Sequence, residues 1–466
     1  MSVVVDPART FELDVPVVII GAGACGLVAA LAAHDAGADV LVLERDAQPA
    51  GSTALSSGFI PACETRMQRA LGIADSVELM TADIQRKNHG EADEAMARAI
   101  AAASGPTIDW LATRHGVPFV LVEGFLYPGH SVLRMHAVPE KTGAALMAAL
   151  QTSCAAAGID ILCDARVTTL YADADHCVRG VAYERPDGSV EEVGCAALVL
   201  ACSGFGGNAA MVRAHLPEMA DALYFGHVGN QGDAIRWGQA LGAAIRDMTA
   251  YQGHGSVATP HGVLITWALM MEGGIQVNAR GERFSNEHEG YSEQCLPVLA
   301  QPGGVAWNVY DERLHRLGLE FPDYREAVAL GAVKSAATVD ALAHACGLPA
   351  DALQRTLDQV RRCATGEATD RFGRSFAGTP AYAPPFHACK VTGALFHTQG
   401  GLLVDAHARV LTATGRALPN LFAGGGAACG VSGAHVWGYL SGNGLLAATT
   451  LGRLAGDSAA RLTTSG

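Results

Sequence analysis

Residues 16–44 limit the fold of this chain more than any other stretch. The β-type run Val17-Val18-Ile19-Ile20 enters the turn Gly21-Ala22-Gly23-Ala24-Cys25-Gly26, an Ala- and Leu-rich helical segment follows, and a second β-type run, Val40-Leu41-Val42-Leu43, ends in Glu44. A G-x-G-x-x-G spacing alone is a weak signal. Between two strands and at the head of a helix it has a mechanism: the first glycine makes a tight turn, the second lets a pyrophosphate approach the backbone, and the third lets helix and strand pack closely. The helix N-terminus then faces the phosphates, and Glu44 stands about 20 residues on, where an acceptor binds a ribose hydroxyl. The segment reads as a dinucleotide-binding βαβ unit.

At 466 residues the chain is long enough for about two or three domains of ordinary size. Half of the residues are hydrophobic and 17% are charged, a balance that buries a core and excludes disorder. Lys+Arg 32 against Asp+Glu 46 gives a formal charge of -14, which repels phosphate backbones and anionic lipid, so neither nucleic acid nor a membrane surface is an expected partner. The 55 glycines follow no triplet period and suit a backbone that turns sharply around a large cofactor. The 12 cysteines form no C-x-x-C pair, haem attachment or zinc-ribbon spacing, and read as small buried hydrophobes in a reducing compartment. Residues 15–33 are uncharged and approach the length of a membrane span, but their glycines and the acidic residues ahead argue against a membrane helix or a signal peptide. A cytoplasmic location is expected, and the 17 histidines suggest no metal site.

The rest of the chain divides by texture. Residues 65–155 are Ala-rich with helical spacing, interrupted by Phe125-Leu126-Tyr127-Pro128-Gly129-His130. β-type runs follow at 161–163 and 167–170, and Ala197-Leu198-Val199-Leu200-Ala201 enters a second glycine turn, Ser203-Gly204-Phe205-Gly206-Gly207. Residues 236–375 change to irregular loops and a helical stretch near 335–363, and after Pro384-Pro385 glycine-rich sequence returns. The expected division is a cofactor-binding domain at 1–235 and 376–466 with an inserted domain at 236–375.

Several segments then carry a resemblance. Gly51-Ser52-Thr53-Ala54-Leu55-Ser56-Ser57-Gly58, Gly232-Asp233, the stretch Val277-Asn278-Ala279-Arg280-Gly281-Glu282-Arg283-Phe284-Ser285-Asn286-Glu287, His397-Thr398-Gln399-Gly400-Gly401, and Leu421-Phe422-Ala423-Gly424-Gly425-Gly426 with Gly442-Asn443-Gly444-Leu445-Leu446 resemble the FAD-dependent fumarate reductase and succinate dehydrogenase flavoprotein superfamily, which includes the 3-ketosteroid dehydrogenases. The resemblance covers nearly the whole chain. It implies an α/β fold, with a Rossmann-like FAD-binding domain of the glutathione-reductase type, an inserted α+β capping domain, and an active site between them. FAD contacts are implied for Gly21, Gly23, Ala24, Cys25 and Gly26, for Glu44 and Arg45, and for Gly51, Ser52, Thr53, Ser57 and Gly58. Others are implied for Val167, Ala201, Ser203, Gly204 and Asp233, and near the C-terminus for Gly425, Gly426, Gly442, Asn443, Leu445 and Leu446. Gly426 stands where many relatives carry an acid. Ser52-Thr53 occupy the neighbourhood in which respiratory relatives attach flavin to a histidine, so non-covalent FAD is expected.

The resemblance also locates the chemistry. The two arginines with which fumarate reductases donate a proton and grip a carboxylate fall on Tyr291 and Tyr439 in this chain, as in the ketosteroid-dehydrogenase branch, and Gly438-Tyr439-Leu440-Ser441-Gly442 looks most like the ring-A dehydrogenases acting at the 4,5-bond. Arg is a permanent cation suited to carboxylates, whereas Tyr, with a pKa of about 10, is a neutral donor suited to a carbonyl oxygen. Tyr291 is implied as base, and Tyr439 as carbonyl donor, helped by Ser441 or a backbone N–H near Gly442. Proton loss beside the ketone is then coupled to hydride transfer to flavin N5. His254 and His397 match histidines that bind substrate carboxylate, which suggests a cyclic ketone or oxo-acid. His435 and Trp437 have a weaker claim to the pocket, and His130, His136 and His288 weaker still. With no haem or iron–sulfur cysteine pattern, electrons are expected to pass to a diffusible acceptor or oxygen. Two alternatives stay open: a fumarate-reductase-like ene reductase, and a flavin-binding protein without turnover.

Overall fold

The computed structural model describes residues 2–464 as a mixed α/β protein built on two large sheets. The first has nine strands, and its spine runs in the order Ser2–Val5, Arg166–Ala172, Val178–Glu184, Val190–Leu200, Asp14–Ile20, Val40–Leu43, Asp160–Leu162. Val17, Val18 and Ile19 are wholly buried, as expected of a parallel strand covered on both faces. They pair with Val40, Leu41 and Val42 on one side, and with Ala197, Leu198 and Val199 on the other. The strand Val190–Leu200 also pairs in parallel with Ala417–Ala423. Both glycine turns and the C-terminal glycine segment therefore leave the same end of one sheet.

The helix Ala24–Asp35 covers one face and is itself covered by the C-terminal helix Asn443–Thr464. Small residues set their spacing. A Cβ on Gly456 would stand 2.1 Å from the Ala29 carbonyl oxygen, and one on Gly452 would stand 2.5 Å from that of Cys25. Leu27, Val28 and Leu31 are fully buried beneath the contact, each worth about 1.5–3 kcal/mol against exposure.

The second sheet has seven strands and is organised on the long strand Phe386–Thr398, which pairs with Tyr251–Ala258, Val305–Asp311, Leu223–Tyr224 and Val333–Ala336. Two of its strands, Leu223–Tyr224 and Phe386–Thr398, fall outside the expected limits of 236–375. The Gly- and Pro-rich composition after residue 376 hides the long strand, because only its partners define it. The helical stretch expected near 335–363 is a strand followed by two helices, Val339–Cys346 and Ala350–Ala364, broken at Gly347, whose φ of +69° lies in the left-handed region. All 12 cysteines are free. Among the described residues, no helix is long and apolar enough to cross a membrane and no group of His, Cys, Asp and Glu could hold a metal ion.

Candidate active site

Where the two sheets meet, two cavities of about 860 and 1160 Å³ share walls at Ser52, Thr53, Ser203, Gly426 and Ala448, and so form one groove. The first cavity opens on the fingerprint turn. There Glu44 accepts hydrogen bonds from the backbone N–H of Ala22 (2.8 Å) and Asp46 (3.1 Å). Burial raises the Glu44 pKa, and those two donors oppose the shift. Thr53 Oγ1 accepts from the Ala24 N–H at the start of the fingerprint helix (3.2 Å), and Ser52 Oγ from Asn230 Nδ2 (2.8 Å) and the His227 N–H (3.0 Å). Arg45 is held on the Gly229 carbonyl (2.8 Å). Gly21, Gly23, Ala24, Cys25 and Gly51 line this cavity, as do Val167, Ala201, Asp233 and Gly425.

Four of the expected cofactor residues line neither cavity. Gly26 lies beneath the turn, where a Cβ would meet the Gly21 carbonyl oxygen at 1.8 Å, and Gly204 is pressed on Thr398 Oγ1. Asn443 and Leu446 are fully buried at the start of the C-terminal helix. These residues shape the cradle from behind. The missing acid at Gly426 also has a cause, since a Cβ there would stand 2.9 Å from the Gly204 nitrogen.

The second cavity takes Tyr291, Tyr439, His254, His397 and Ser441 into one wall, together with Ser57, Gly58, Gly442 and Leu445. Register explains how the two histidines meet. The antiparallel pair Tyr251–Ala258 and Phe386–Thr398 sets Gln252 opposite His397 and His254 opposite Ala394. His254 stacks on Tyr291 with centroids 4.8 Å apart, Tyr291 meets Tyr439 at 6.1 Å, and His397 meets Tyr439 at 5.6 Å. Gly444 leaves room for His397, whose Nε2 would lie 2.5 Å from a Cβ there.

Protonation follows from these contacts. His254 Nδ1 accepts from the Ser256 N–H (3.1 Å), so the neutral ring carries its proton on Nε2. Burial pushes its pKa down to about 3 and that of His397 to about 4, so both rings are neutral donors or acceptors. Burial pushes Tyr291 up to about 12, opposed by the Ser441 side chain, the Gly442 N–H and Tyr439 near its oxygen. Tyr439 is held well above the ordinary phenol range, by burial first and then by the neighbouring Tyr291, and its oxygen accepts from the Gly444 N–H at 3.3 Å. The phenols and the first N–H groups of the C-terminal helix thus converge.

No Lys, Arg, Asp or Glu lines the second cavity. Phe59, Tyr127, Phe225, Trp267 and Phe396 also line it; of these the sequence pointed only to the segment that carries Tyr127. Phe225 and Phe396 stack at 4.8 Å only because Leu223–Tyr224 pairs with Ala394-Leu395. His130, His136, His288, His435 and Trp437 line neither cavity. His136 is instead spent on Thr65 Oγ1 (2.9 Å) and the Arg134 carbonyl (2.8 Å).

The groove fits FAD on two counts. A helix N-terminus with an anchored acid beside it suits an adenosine pyrophosphate, and a wide aromatic-walled chamber is continuous with that end.

Comparison with known proteins agrees with that fit. The family described as FAD binding domain matches residues 16–445. An NADH:fumarate oxidoreductase of Klebsiella pneumoniae is 31% identical over 96% of this chain, which spans only 47% of that protein's length. A 4-oxocyclohexanecarboxylate 2-dehydrogenase of Sinomonas cyclohexanicum is 26% identical, with 97% of this chain and 93% of that protein covered. The crystal structure of 3-ketosteroid-Δ4-(5α)-dehydrogenase from Rhodococcus jostii RHA1, in complex with 4-androstene-3,17-dione, superposes with a TM-score of 0.77 at 28% identity, covering 97% of this chain and 98% of that one.

Proposed function

The chain belongs to the FAD binding domain family, and from that premise we propose that it dehydrogenates a cyclic ketone or oxo-acid at the C–C bond next to the carbonyl. The observation that carries this reading is the pair of phenols in a chamber free of charged side chains. Bound FAD supplies the two-electron chemistry as hydride acceptor or donor. Tyr439 donates its proton to the substrate carbonyl oxygen while its own oxygen accepts the Gly444 N–H; this stabilises the developing enolate and acidifies the adjacent C–H. Tyr291, in its ionised phenolate form, takes that proton, assisted by the Ser441 hydroxyl and the Gly442 N–H, while the next carbon of the substrate gives up hydride. The aromatic walls exclude water and suit a flat ring, and His254 Nε2–H offers a neutral donor to a second polar group. The relative named for 4-oxocyclohexanecarboxylate and the structure named for a ketosteroid support a cyclic carbonyl substrate.

On this reading the second sheet caps the cofactor domain, FAD is held without a covalent bond, and electrons leave to a diffusible acceptor or oxygen. Acid precipitation is expected to release all of the flavin into solution. Anaerobic mixing with a saturated cyclic ketone or oxo-acid is expected to bleach the flavin, followed by an enone product; absence of bleaching across both classes would remove the dehydrogenase reading.

One observation favours a second reading. A phenol raised to about 12 is protonated at neutral pH and suits donation, as an ene reductase of an enone or unsaturated carboxylate requires. Reoxidation of the reduced enzyme by such a substrate alone would support it.

A further inference from the structure

The loop that brings the phenols together is itself held from behind by a buried ionic cluster that no part of the proposed chemistry uses. His130 Nε2 donates to the Ser441 carbonyl oxygen at 2.9 Å. Its other ring nitrogen, Nδ1, lies 3.4 Å from Arg134 Nη1, a group that can only donate. The ring therefore has one neutral tautomer, with Nδ1 as acceptor and the proton on Nε2. Arg134 is fixed in turn: Nε and Nη2 bind Asp75 at 2.7 and 2.8 Å, and Nη1 binds Asp83. Asp83 also accepts from the Ser131 N–H at 2.8 Å. His130 and Arg134 are almost completely buried. Such a cluster is costly to desolvate unless every group is matched, and here its output is one N–H aimed at one backbone carbonyl.

That carbonyl belongs to the peptide whose other end is the Gly442 N–H. The Ser441 side chain is tied to the same segment, Oγ donating to the Pro128 carbonyl at 3.2 Å, and Tyr127, next to Pro128, lines the chamber. We propose that His130 is a positioning residue that holds the Ser441–Gly442 peptide, so that the Gly442 N–H stays on the phenol pair and the Ser441 hydroxyl can turn from Pro128 to the Tyr291 oxygen as that oxygen becomes negative. Donation to the carbonyl polarises the peptide and strengthens its N–H. The inference rests on the assignment of Tyr291 and Tyr439 made above.

The titratable groups that face Tyr291 are Tyr439, Tyr127 and Glu293 with its partner Lys87, and His254 stacks on the ring; none of them changes in the test. In the holoenzyme, His130→Leu removes the donor and His130→Gln restores an N–H. His130→Leu is expected to lower kcat at neutral pH about tenfold, the scale of one lost hydrogen bond to a developing charge, with KM within about twofold. It should also move the alkaline limb of the kcat profile, and the phenolate absorbance assigned by difference from Tyr291→Phe, upward together by about one pH unit. His130→Gln is expected to return both towards wild type, with FAD content equal in all variants. A phenolate titration that is unmoved in His130→Leu, or a loss of kcat that His130→Gln does not reverse, overturns the proposal. Full activity in Tyr291→Phe would instead overturn the functional assignment, and that outcome is separately readable because the phenolate titration needs no substrate.

Discussion

Tyr291 and Tyr439 meet although they lie on segments far apart in the chain, one on the loop before Cys295–Leu299 and the other just ahead of the C-terminal helix. Replacing either with Phe is expected to lower the rate of flavin reduction by about 10²–10⁴, the range of acid–base catalysis. FAD content should stay close to wild type, because the cavity suited to the adenosine and pyrophosphate end is one that neither hydroxyl borders; stopped-flow reduction and the flavin spectrum measure the two quantities. The pH dependence separates the two directions of reaction. Proton abstraction needs the ionised Tyr291, whose pKa burial holds near 12, so dehydrogenation at saturating substrate should rise with pH by up to about tenfold per unit through the neutral range. Reduction of an enone uses the protonated phenol and should be flat over the same range. The tyrosines and histidines were legible through their motifs. Trp267, Phe225 and Phe396 were not, because aromatic residues in a sequence read equally well as core; Phe225 and Phe396 meet only through the pairing of Leu223–Tyr224 with Ala394-Leu395, and Trp267 reaches the groove from the start of the short helix Ala268–Met271.

At the scale of elements, the fingerprint βαβ unit was plain from local pattern alone, since strand, turn, helix and strand follow one another without interruption. The strand Phe386–Thr398 was not, for its identity lies in partners far along the chain, among them Val305–Asp311 and Tyr251–Ala258. Two elements offer tests of packing. Gly456→Val adds two methyl groups to a Cβ that would itself stand 2.1 Å from Ala29 O. It is expected to cost about 1–3 kcal/mol and to loosen FAD, seen as a lower thermal midpoint and a higher flavin dissociation constant. Arg134→Met leaves the buried Asp75 without its cation and Asp83 with only the half-exposed Arg86, an expected loss of about 3–5 kcal/mol. Burial raises the Asp83 pKa, but the Ser131 hydroxyl and Arg134 outweigh it and hold the carboxyl below its ordinary value. Its contribution is therefore present above the ordinary carboxylate range and is lost as pH falls through the lowered value. In Arg134→Met that lowering is weakened, and acid unfolding followed by circular dichroism should begin at higher pH than in wild type.

For the whole molecule, electrostatics narrows the choice of substrate. The chain carries a formal charge of -14, and its inner chamber offers no cation to offset that field. A dicarboxylate must be desolvated against neutral donors alone. The dimethyl ester of an unsaturated diacid is therefore expected to perturb the flavin spectrum at lower concentration than the free dianion does, and tighter binding of the dianion would contradict the view of the chamber as a site for carbonyls. The strand Phe386–Thr398 has one further consequence. It carries His397 at the chamber and Thr398 against the second glycine turn, where Thr398 Oγ1 accepts from the Phe205 N–H at 3.3 Å. Recognition and cofactor support thus share a single hydrogen-bonded ribbon. A new specificity can arise by exchanging inward-facing side chains along that ribbon while the reacting geometry stays where it is, whereas any slip of the ribbon by one residue would disable both at once.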